Sequence, residues 1–235
     1  QIDPTTEPIT ILRAVDFVQT GEIQAIYRIQ EQPYGVGVGD IWMGTNEGLC
    51  VYDTDLDVLD EHAHPTHPHD QSHGVTFTPE GFIWNADTYQ ISRWNYSNDG
   101  DLSPSADLLD YWPPWPVKLE TPVAMTDAAY SSDGVTDTVW LTSSLYGVAR
   151  VDIGADFLPV TTDLGAPFPA TAAAVRAGLG RVWFGDAAGT HVWDGTEMRD
   201  VPGGPPNVEQ LAVDNGTLSV WIGSPGMLTR VQGVP

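Results

Sequence analysis

Short apolar stretches that each contain one tryptophan recur five times along the chain and end in small or polar residues. The stretches are Asp40–Thr45, Gly81–Ala86, Thr138–Ser143, Arg181–Asp186 and Ser219–Ser224. β-Branched and aromatic residues followed by turn-forming residues are typical of a short strand with a tight exit. The tryptophans lie 42, 56, 43 and 38 residues apart, and this spacing indicates a repeated unit of several strands.

Further β-type runs flank each tryptophan stretch and complete the repeat. Candidate first strands are Ile23–Ile29, Val75–Thr78, Ala124–Tyr130, Ala172–Val175 and Val208–Val213. Candidate third strands are Leu49–Tyr52, Ile91–Trp94, Val148–Val151, His191–Trp193 and Leu228–Val231. Candidate fourth strands are Asp57–Leu59, Asp107–Leu109, Leu158–Thr161 and Met198–Val201, and the fifth unit has none. No segment shows a sustained helical period, so the pattern predicts an all-β chain.

This repeat predicts one domain, a single five-bladed β-propeller of four-stranded antiparallel blades. The blades are expected at about residues 20–60, 73–110, 122–162, 170–202 and 207–235. The alternating apolar segment Ile9–Val18 is expected to complete the last blade and close the ring. Closure is favoured because an open sheet edge leaves backbone donors and acceptors unpaired.

Two kinds of propeller repeat are similar to these stretches. Residues 41–49, with the sequence Ile-Trp-Met-Gly-Thr-Asn-Glu-Gly-Leu, and residues 182–186 resemble the repeat of sensor-regulator-type propellers. Residues 73–84 resemble the repeat of virginiamycin-lyase-like and gluconolactonase-like propellers. The resemblance covers nearly the whole chain and implies the propeller fold. It implies no particular activity, because propellers carry many unrelated functions.

The charge balance is strongly acidic and restricts the partners. Nine Lys and Arg residues face 32 Asp and Glu residues, for a formal net charge of −23. Such a surface repels phosphate backbones and anionic lipids, and no apolar run approaches the roughly 18 residues of a membrane span. We therefore expect a secreted or periplasmic monomer that binds no nucleic acid and does not insert into membranes. The single cysteine, Cys50, excludes an internal disulfide and is expected to be buried in a strand.

A histidine-rich segment, residues 61–73, joins the predicted fourth strand of the first blade to the first strand of the second. It contains His62, His64, His67, His69 and His73, five of the six histidines of the chain. Prolines after His64 and His67 favour extended backbone, in which residues two apart point to the same side. Imidazole pairs suit zinc, copper or nickel, so the segment predicts a transition-metal site. The alternatives are weak adventitious metal binding and a solvated loop without a ligand.

The pair His73–Gly74 begins the first strand of the second predicted blade, close to the expected axis. Similar His-Gly pairs from several blades bind zinc together in the amidating-lyase propellers, and this chain carries the pair once. The resemblance implies a metal-dependent lyase or hydrolase as an alternative function.

The next crossover, Asp110–Pro116, contains three aromatic residues outside the repeated tryptophan position: Tyr111, Trp112 and Trp115. Prolines stiffen this backbone, and aromatic faces held in this way stack on sugars or other ring ligands or bind proline-rich peptides. Alternatively, the two tryptophans fill the gap between the second and third blades. Because this crossover and the histidine-rich segment are of the same type, both are expected on one face, where a small molecule, metal ion or peptide would bind.

Calcium is a weaker expectation than a transition metal. The acidic segments 53–57 and 95–101 supply oxygen ligands, but each lacks part of the calcium-loop pattern. No nucleophile elbow, P-loop or dinucleotide fingerprint occurs, so the sequence leaves the question of catalysis open. It favours a ligand- or metal-binding module, with a metal-dependent lyase or hydrolase and a protein-interaction or sensor platform as alternatives.

Overall fold

The computed structural model describes residues 25–35, 37–46, 48–54, 58–63, 71–95, 108–115, 122–153, 159–165, 168–169 and 172–232. Within these ranges nineteen strands form five antiparallel sheets, and there is no helix. The all-β prediction is therefore confirmed for the described part of the chain. The segment Ile9–Val18 and the acidic stretch 96–101 lie outside it, as do residues 55–57.

Each sheet follows the chain order of its strands, so consecutive strands are neighbours. The first sheet contains β1 (Ile26–Glu31), β2 (Ile41–Thr45), β3 (Gly48–Asp53) and β4 (Val58–Ala63). The second contains β5 (Ser72–Phe77), β6 (Ile83–Asp87), β7 (Ile91–Trp94) and β8 (Leu108–Trp112). The third contains β9 (Met125–Ser132), β10 (Asp137–Ser143), β11 (Gly147–Ile153) and β12 (Pro159–Leu164). The fourth contains β13 (Ala174–Gly178), β14 (Arg181–Gly185), β15 (Thr190–Trp193) and β16 (Met198–Asp200), and the fifth contains β17 (Gln210–Asp214), β18 (Ser219–Ser224) and β19 (Met227–Gln232).

The repeated tryptophan lies on the second strand of every sheet, and in the first four sheets it packs in the apolar clusters between neighbouring sheets. Trp42, Trp84 and Trp183 are fully buried, and Trp140 is nearly so. Trp42 of the first sheet meets Phe77 of the second edge-on, with ring centroids 6.2 Å apart. Four apolar clusters join the sheets in succession along the chain. Burial of aromatic and aliphatic side chains between sheets therefore stabilises the packing of each sheet on the next.

Three fourth strands, β4, β8 and β12, run further than the sequence pattern predicts. β4 continues to Ala63 and β8 to Trp112, so His62, Tyr111 and Trp112 belong to strands and not to the crossovers. In β8 the pairing with β7 runs as far as Trp112, and Arg93 also donates two hydrogen bonds of 3.1 and 2.7 Å to Asp110. Local propensity gives no sign of this extension, since it depends on the partner strand.

The first strands of the five sheets lie together. Successive first strands contact each other from β1 to β17, through β5, β9 and β13. Small residues also permit neighbouring sheets to approach closely. A Cβ atom on Gly44 of β2 would lie 2.5 Å from the carbonyl oxygen of Ser72 in β5. Hydrogen bonds also cross between sheets, as where the N–H of Tyr130 donates to Oγ1 of Thr76 over 2.9 Å. This convergence places side chains from distant parts of the sequence around one space.

Candidate functional site

A cavity of about 460 Å³ lies where the first strands converge. All five first strands contribute to its lining: Arg28–Glu31 from β1, Thr76 from β5, Ala128–Tyr130 from β9, Arg176 and Ala177 from β13, and Leu211–Val213 from β17. Most of this lining is small or apolar, and its charged members are Arg28, Glu31 and Arg176. We call this space the central cavity.

A buried carboxylate, Asp127 of β9, links the two arginines beside the central cavity. Its side chain is 3% exposed, and it accepts hydrogen bonds from the N–H groups of Ala128, over 3.0 Å, and Val175, over 3.1 Å. Nη1 of Arg176 donates a short hydrogen bond to Oδ2 of the same carboxylate. Nε of Arg28 lies 3.9 Å from Oδ1, within ion-pair distance but too far for a hydrogen bond. Three sheets therefore contribute to one charged cluster.

Both guanidinium groups have donors that the cluster does not satisfy. Arg176 is 8% exposed, and its Nη2 is buried without a hydrogen-bond partner, whereas its Nη1 also donates to the carbonyl oxygen of Val175. Arg28 donates from Nη2 to Gln30 over 3.0 Å, but its Nε is buried without a partner. Since buried donors are nearly always paired, these two atoms are candidates to bind an acceptor that enters the cavity.

The electrostatic state of Asp127 depends on opposing effects. Burial raises the pKa of Asp127 from 3.8 to about 7, although the nearby Arg28 and the N–H groups of Val175 and Ala128 lower it. The carboxyl group therefore changes charge near neutral pH, between two guanidinium groups that stay protonated. The net charge of the cluster is positive in either state, and it is larger when Asp127 is protonated.

The predicted metal-binding histidines fall partly outside the described residues. His64, His67 and His69 lie there, and for His62 the structure describes only the backbone, in β4. His73 lies in β5, half-buried beside Tyr27 of β1 with ring centroids 4.6 Å apart. Burial lowers the pKa of His73, which favours the neutral imidazole that a metal requires. Among the described residues no three His, Cys, Asp or Glu side chains form a potential metal site.

The aromatic residues of the second crossover differ in exposure. Trp115 is 2% exposed and stacks on Tyr146 of the third sheet at 5.8 Å, and Trp112 meets Trp84 edge-on at 5.7 Å. Both tryptophans pack against the apolar cluster between the second and third sheets. Tyr111 is 40% exposed. The tryptophans thus fill the inter-sheet gap, and a ligand-binding role for the three residues remains a prediction.

A second cavity of about 580 Å³ adjoins the central one and is lined by the third and fourth sheets. Trp140, Arg150 and Arg181 contribute to it, and Tyr130 and Ala177 line both cavities.

The single cysteine, Cys50, is buried in β3, as predicted, and burial raises the pKa of its thiol to about 12. The thiol is therefore an unreactive core group.

Sequence reasoning missed the cluster of Arg28, Asp127 and Arg176, although a signal was present. Arg28 and Asp127 fall within predicted first strands, and Arg176 directly follows one. Charged residues are unusual in strands expected to be buried, and arginines are scarce in so acidic a chain. Residue spacing could not reveal their meeting, because Asp127 and Arg176 are 49 residues apart.

Comparison with known proteins identifies structural likeness without a family. A scan against protein-family models gives no match, and a search of curated proteins gives none either. The extracellular domain of BT4673 from B. thetaiotaomicron, described as a one-component and as a hybrid two-component system, superimposes with a TM-score of 0.59 at 18% identity. The match covers 90% of this chain and 27% of the BT4673 chain.

PorZ of Porphyromonas gingivalis, a bacterial surface component of the type-IX secretion system, superimposes with a TM-score of 0.58 at 10% identity. This match covers 88% of the present chain and 24% of PorZ. The chain thus spans about a quarter of the length of these proteins. At such identities the likeness concerns the fold alone. None of the described segments forms a helix long and apolar enough to span a membrane.

Proposed function

We propose that this chain is a five-bladed β-propeller that acts as a ligand-binding, sensor-type module of an extracytoplasmic protein, with its ligand in the central cavity. The observation that carries the proposal is the convergence of all five first strands on a cavity flanked by the buried charges of Arg28, Asp127 and Arg176. Largely apolar cavities with a few convergent polar groups are the usual form of small-molecule sites.

The ring is proposed to close through pairing of residues 9–18 with β19. The fifth sheet has three strands in the described part of the chain, and β19 is its last. Met227 and Leu228 of β19 are 55% and 69% exposed, and a further strand would cover such apolar side chains. A closed ring would hold the five first strands around the central cavity.

The extracytoplasmic location is supported by the acidic surface and by two structural likenesses. The domain of BT4673 is extracellular, and PorZ is a surface component. The formal charge of −23 suits a protein exposed to salt or to an exterior medium. The same comparison supports a sensor role, since BT4673 is described as a one-component system and as a hybrid two-component system.

The experiment is to block the central cavity and measure ligand binding. Ala212 lines the cavity and is exposed, so Ala212→Trp would fill the space while sparing the core. Ala187 is an exposed turn residue outside both cavity linings, and Ala187→Trp is the matched control. A panel of carboxylates, phosphates, sugars and amino acids would be tested by thermal shift and calorimetry. We expect a ligand that binds the natural chain and Ala187→Trp but not Ala212→Trp; equal binding to all three would refute the cavity as the site.

A second site is proposed on the face that carries the two unusual crossovers. There His62, His64, His67, His69 and His73 would bind zinc, copper or nickel, and Tyr111, Trp112 and Trp115 would contact a small molecule or peptide. Two observations on the described residues favour this proposal. His73 has a lowered pKa that keeps its imidazole available, and Tyr111 presents an exposed ring.

A further inference from the structure

We infer that the ligand of the central cavity is an oxyanion, a small carboxylate or phosphate, that binds to the guanidinium groups of Arg28 and Arg176 on the cavity wall. This inference rests on the proposed function, because it names the chemical class of ligand for the same cavity. It assigns a cationic site to a chain whose formal net charge is −23.

The local charge favours an anion in spite of the acidic surface. Arg28 and Arg176 bring two positive charges to the cavity wall, and one carboxylate, Asp127, lies between them. Among the described lining residues Glu31 is the one other charged group, and it is exposed at the end of β1. β5 and β17 contribute Thr76 and the uncharged stretch Leu211–Val213. Within the cluster of Arg28, Asp127 and Arg176 one positive charge therefore remains, and an anion that enters the cavity would be attracted to it.

The available donors suit the chemistry of an oxyanion. Among the described residues Nε of Arg28 and Nη2 of Arg176 have no hydrogen-bond partner, and both arginines line the same cavity. Guanidinium groups bind carboxylates and phosphates through paired N–H groups, and such charge-assisted hydrogen bonds are among the strongest in proteins. A cation would be repelled by both arginines, and a neutral ligand would leave the excess charge in place.

Asp127 partly neutralises the two arginines within the protein itself. Its carboxylate is held by the N–H groups of Ala128 and Val175, so it is fixed beside the arginines and does not depend on them for its position. It compensates one guanidinium group and leaves the other to a ligand. Asp127 is in this sense a positioning residue for Arg176, to which it is hydrogen-bonded.

The test is calorimetric titration with inorganic phosphate and with succinate, near neutral pH and at constant ionic strength in chloride. The variants are Arg28→Gln, Arg176→Gln and Arg176→Lys, and the control is Arg199→Gln. Arg199 lies on β16, and its side chain is 58% exposed. It pairs with Asp194 and Glu197 of the turn that precedes this strand. We expect at least one of the two anions to bind, with the same affinity for the natural chain and for Arg199→Gln. Arg28→Gln and Arg176→Gln should weaken binding by about tenfold or more, equivalent to about 1.4 kcal/mol.

Folding is checked for each variant by its thermal transition. If Arg176→Gln does not fold, Arg176→Lys decides, because lysine keeps the charge but loses the paired N–H groups and should weaken binding by a smaller factor. Arg28→Gln offers an independent test, since Arg28 makes one side-chain hydrogen bond, to Gln30. Unchanged anion affinity in both Arg28→Gln and Arg176→Lys would overturn the inference.

The two proposals fail in different ways. If neither anion binds, but a neutral compound binds and Ala212→Trp abolishes its binding, the oxyanion inference is wrong and the ligand-binding function stands. If the anions bind equally to the natural chain, the arginine variants and Ala212→Trp, their site lies elsewhere on the surface and the inference is wrong. If no compound distinguishes Ala212→Trp from Ala187→Trp, both proposals fail.

Discussion

Gly74 of β5 lies directly against the backbone of Asp127 in β9. A Cβ atom at Gly74 would lie 2.7 Å from the carbonyl carbon of Asp127 and 2.9 Å from its Cα, and closer still to the nitrogen of Ala128. The glycine that the sequence singles out beside His73 therefore has a packing role. It lets the second and third sheets approach at the point where the buried carboxylate is held.

Substitution of Gly74 tests this close approach. We expect Gly74→Ala to lower the free energy of unfolding by about 1–3 kcal/mol, because the obstructing atoms belong to backbone and cannot move aside. Urea denaturation measures the change. Gly165→Ala is the control, since Gly165 is exposed, has ordinary φ and has no atom within 4 Å of a built Cβ. Equal effects of the two substitutions would show that the two backbones are not in contact.

The pH dependence of stability tests the burial of Asp127. Its pKa is raised from 3.8 to about 7, so the folded chain holds a proton that the unfolded chain releases. The stabilising contribution is complete below pH 3.8 and is lost as the pH rises through about 7. The unfolding free energy of the natural chain minus that of Asp127→Asn should therefore fall as pH rises over this range. A difference that grows with pH would mean that the arginines hold the pKa of Asp127 below its ordinary value.

The packing of Trp115 predicts a large stability effect. Trp115 is 2% exposed and stacks on Tyr146, so Trp115→Ala should destabilise the chain by about 3–5 kcal/mol. Tyr111→Ala removes a ring that is 40% exposed and should change stability by about 0.5 kcal/mol or less. Denaturant unfolding of both variants gives the comparison. A small loss for Trp115→Ala would favour the ligand-binding prediction for this residue over its packing role.

The histidine-rich segment predicts specific transition-metal binding. Protein prepared without an affinity tag or a nickel column should bind zinc, copper or nickel in calorimetric titration, and a chelator should remove the metal. Replacement of His62, His64, His67 and His69 by alanine should abolish most of this affinity. His191 is the control, because its ring nitrogens lie 2.8 Å from Asp200 and 3.1 Å from Asp186 in the fourth sheet. Loss of metal binding in His191→Ala instead would place the metal there.

Ring closure predicts that the first residues are required for stability. A chain that starts at residue 20 should melt at a lower temperature than the full chain, because the apolar edge of β19 would be left uncovered. A synthetic peptide of residues 1–19 should restore the transition by adding a strand. A scrambled peptide of the same composition is the control. An unchanged melting temperature for the shortened chain would contradict closure by this segment.

The sequence by itself determined the strands and their order. Alternating apolar residues, tight turns and the tryptophan of each second strand are local signals, and all five tryptophan stretches are strands in the structure. The extent of β4 and β8 was not predictable in this way, since it depends on hydrogen bonds from the neighbouring strand. Propensity governs where a strand starts, whereas its partner decides how far it runs.

Tertiary structure alone decided which side chains meet at the central cavity. Arg28, Asp127 and Arg176 belong to three different sheets, and the sequence shows each as a charged residue in or beside a predicted strand but not that the three meet. Their interaction arises because all first strands converge, which brings together residues with no fixed spacing along the chain. The repeat therefore specifies a scaffold through local periodicity, and the charged cluster depends on the packing of sheets against each other, for which one sequence carries no local pattern.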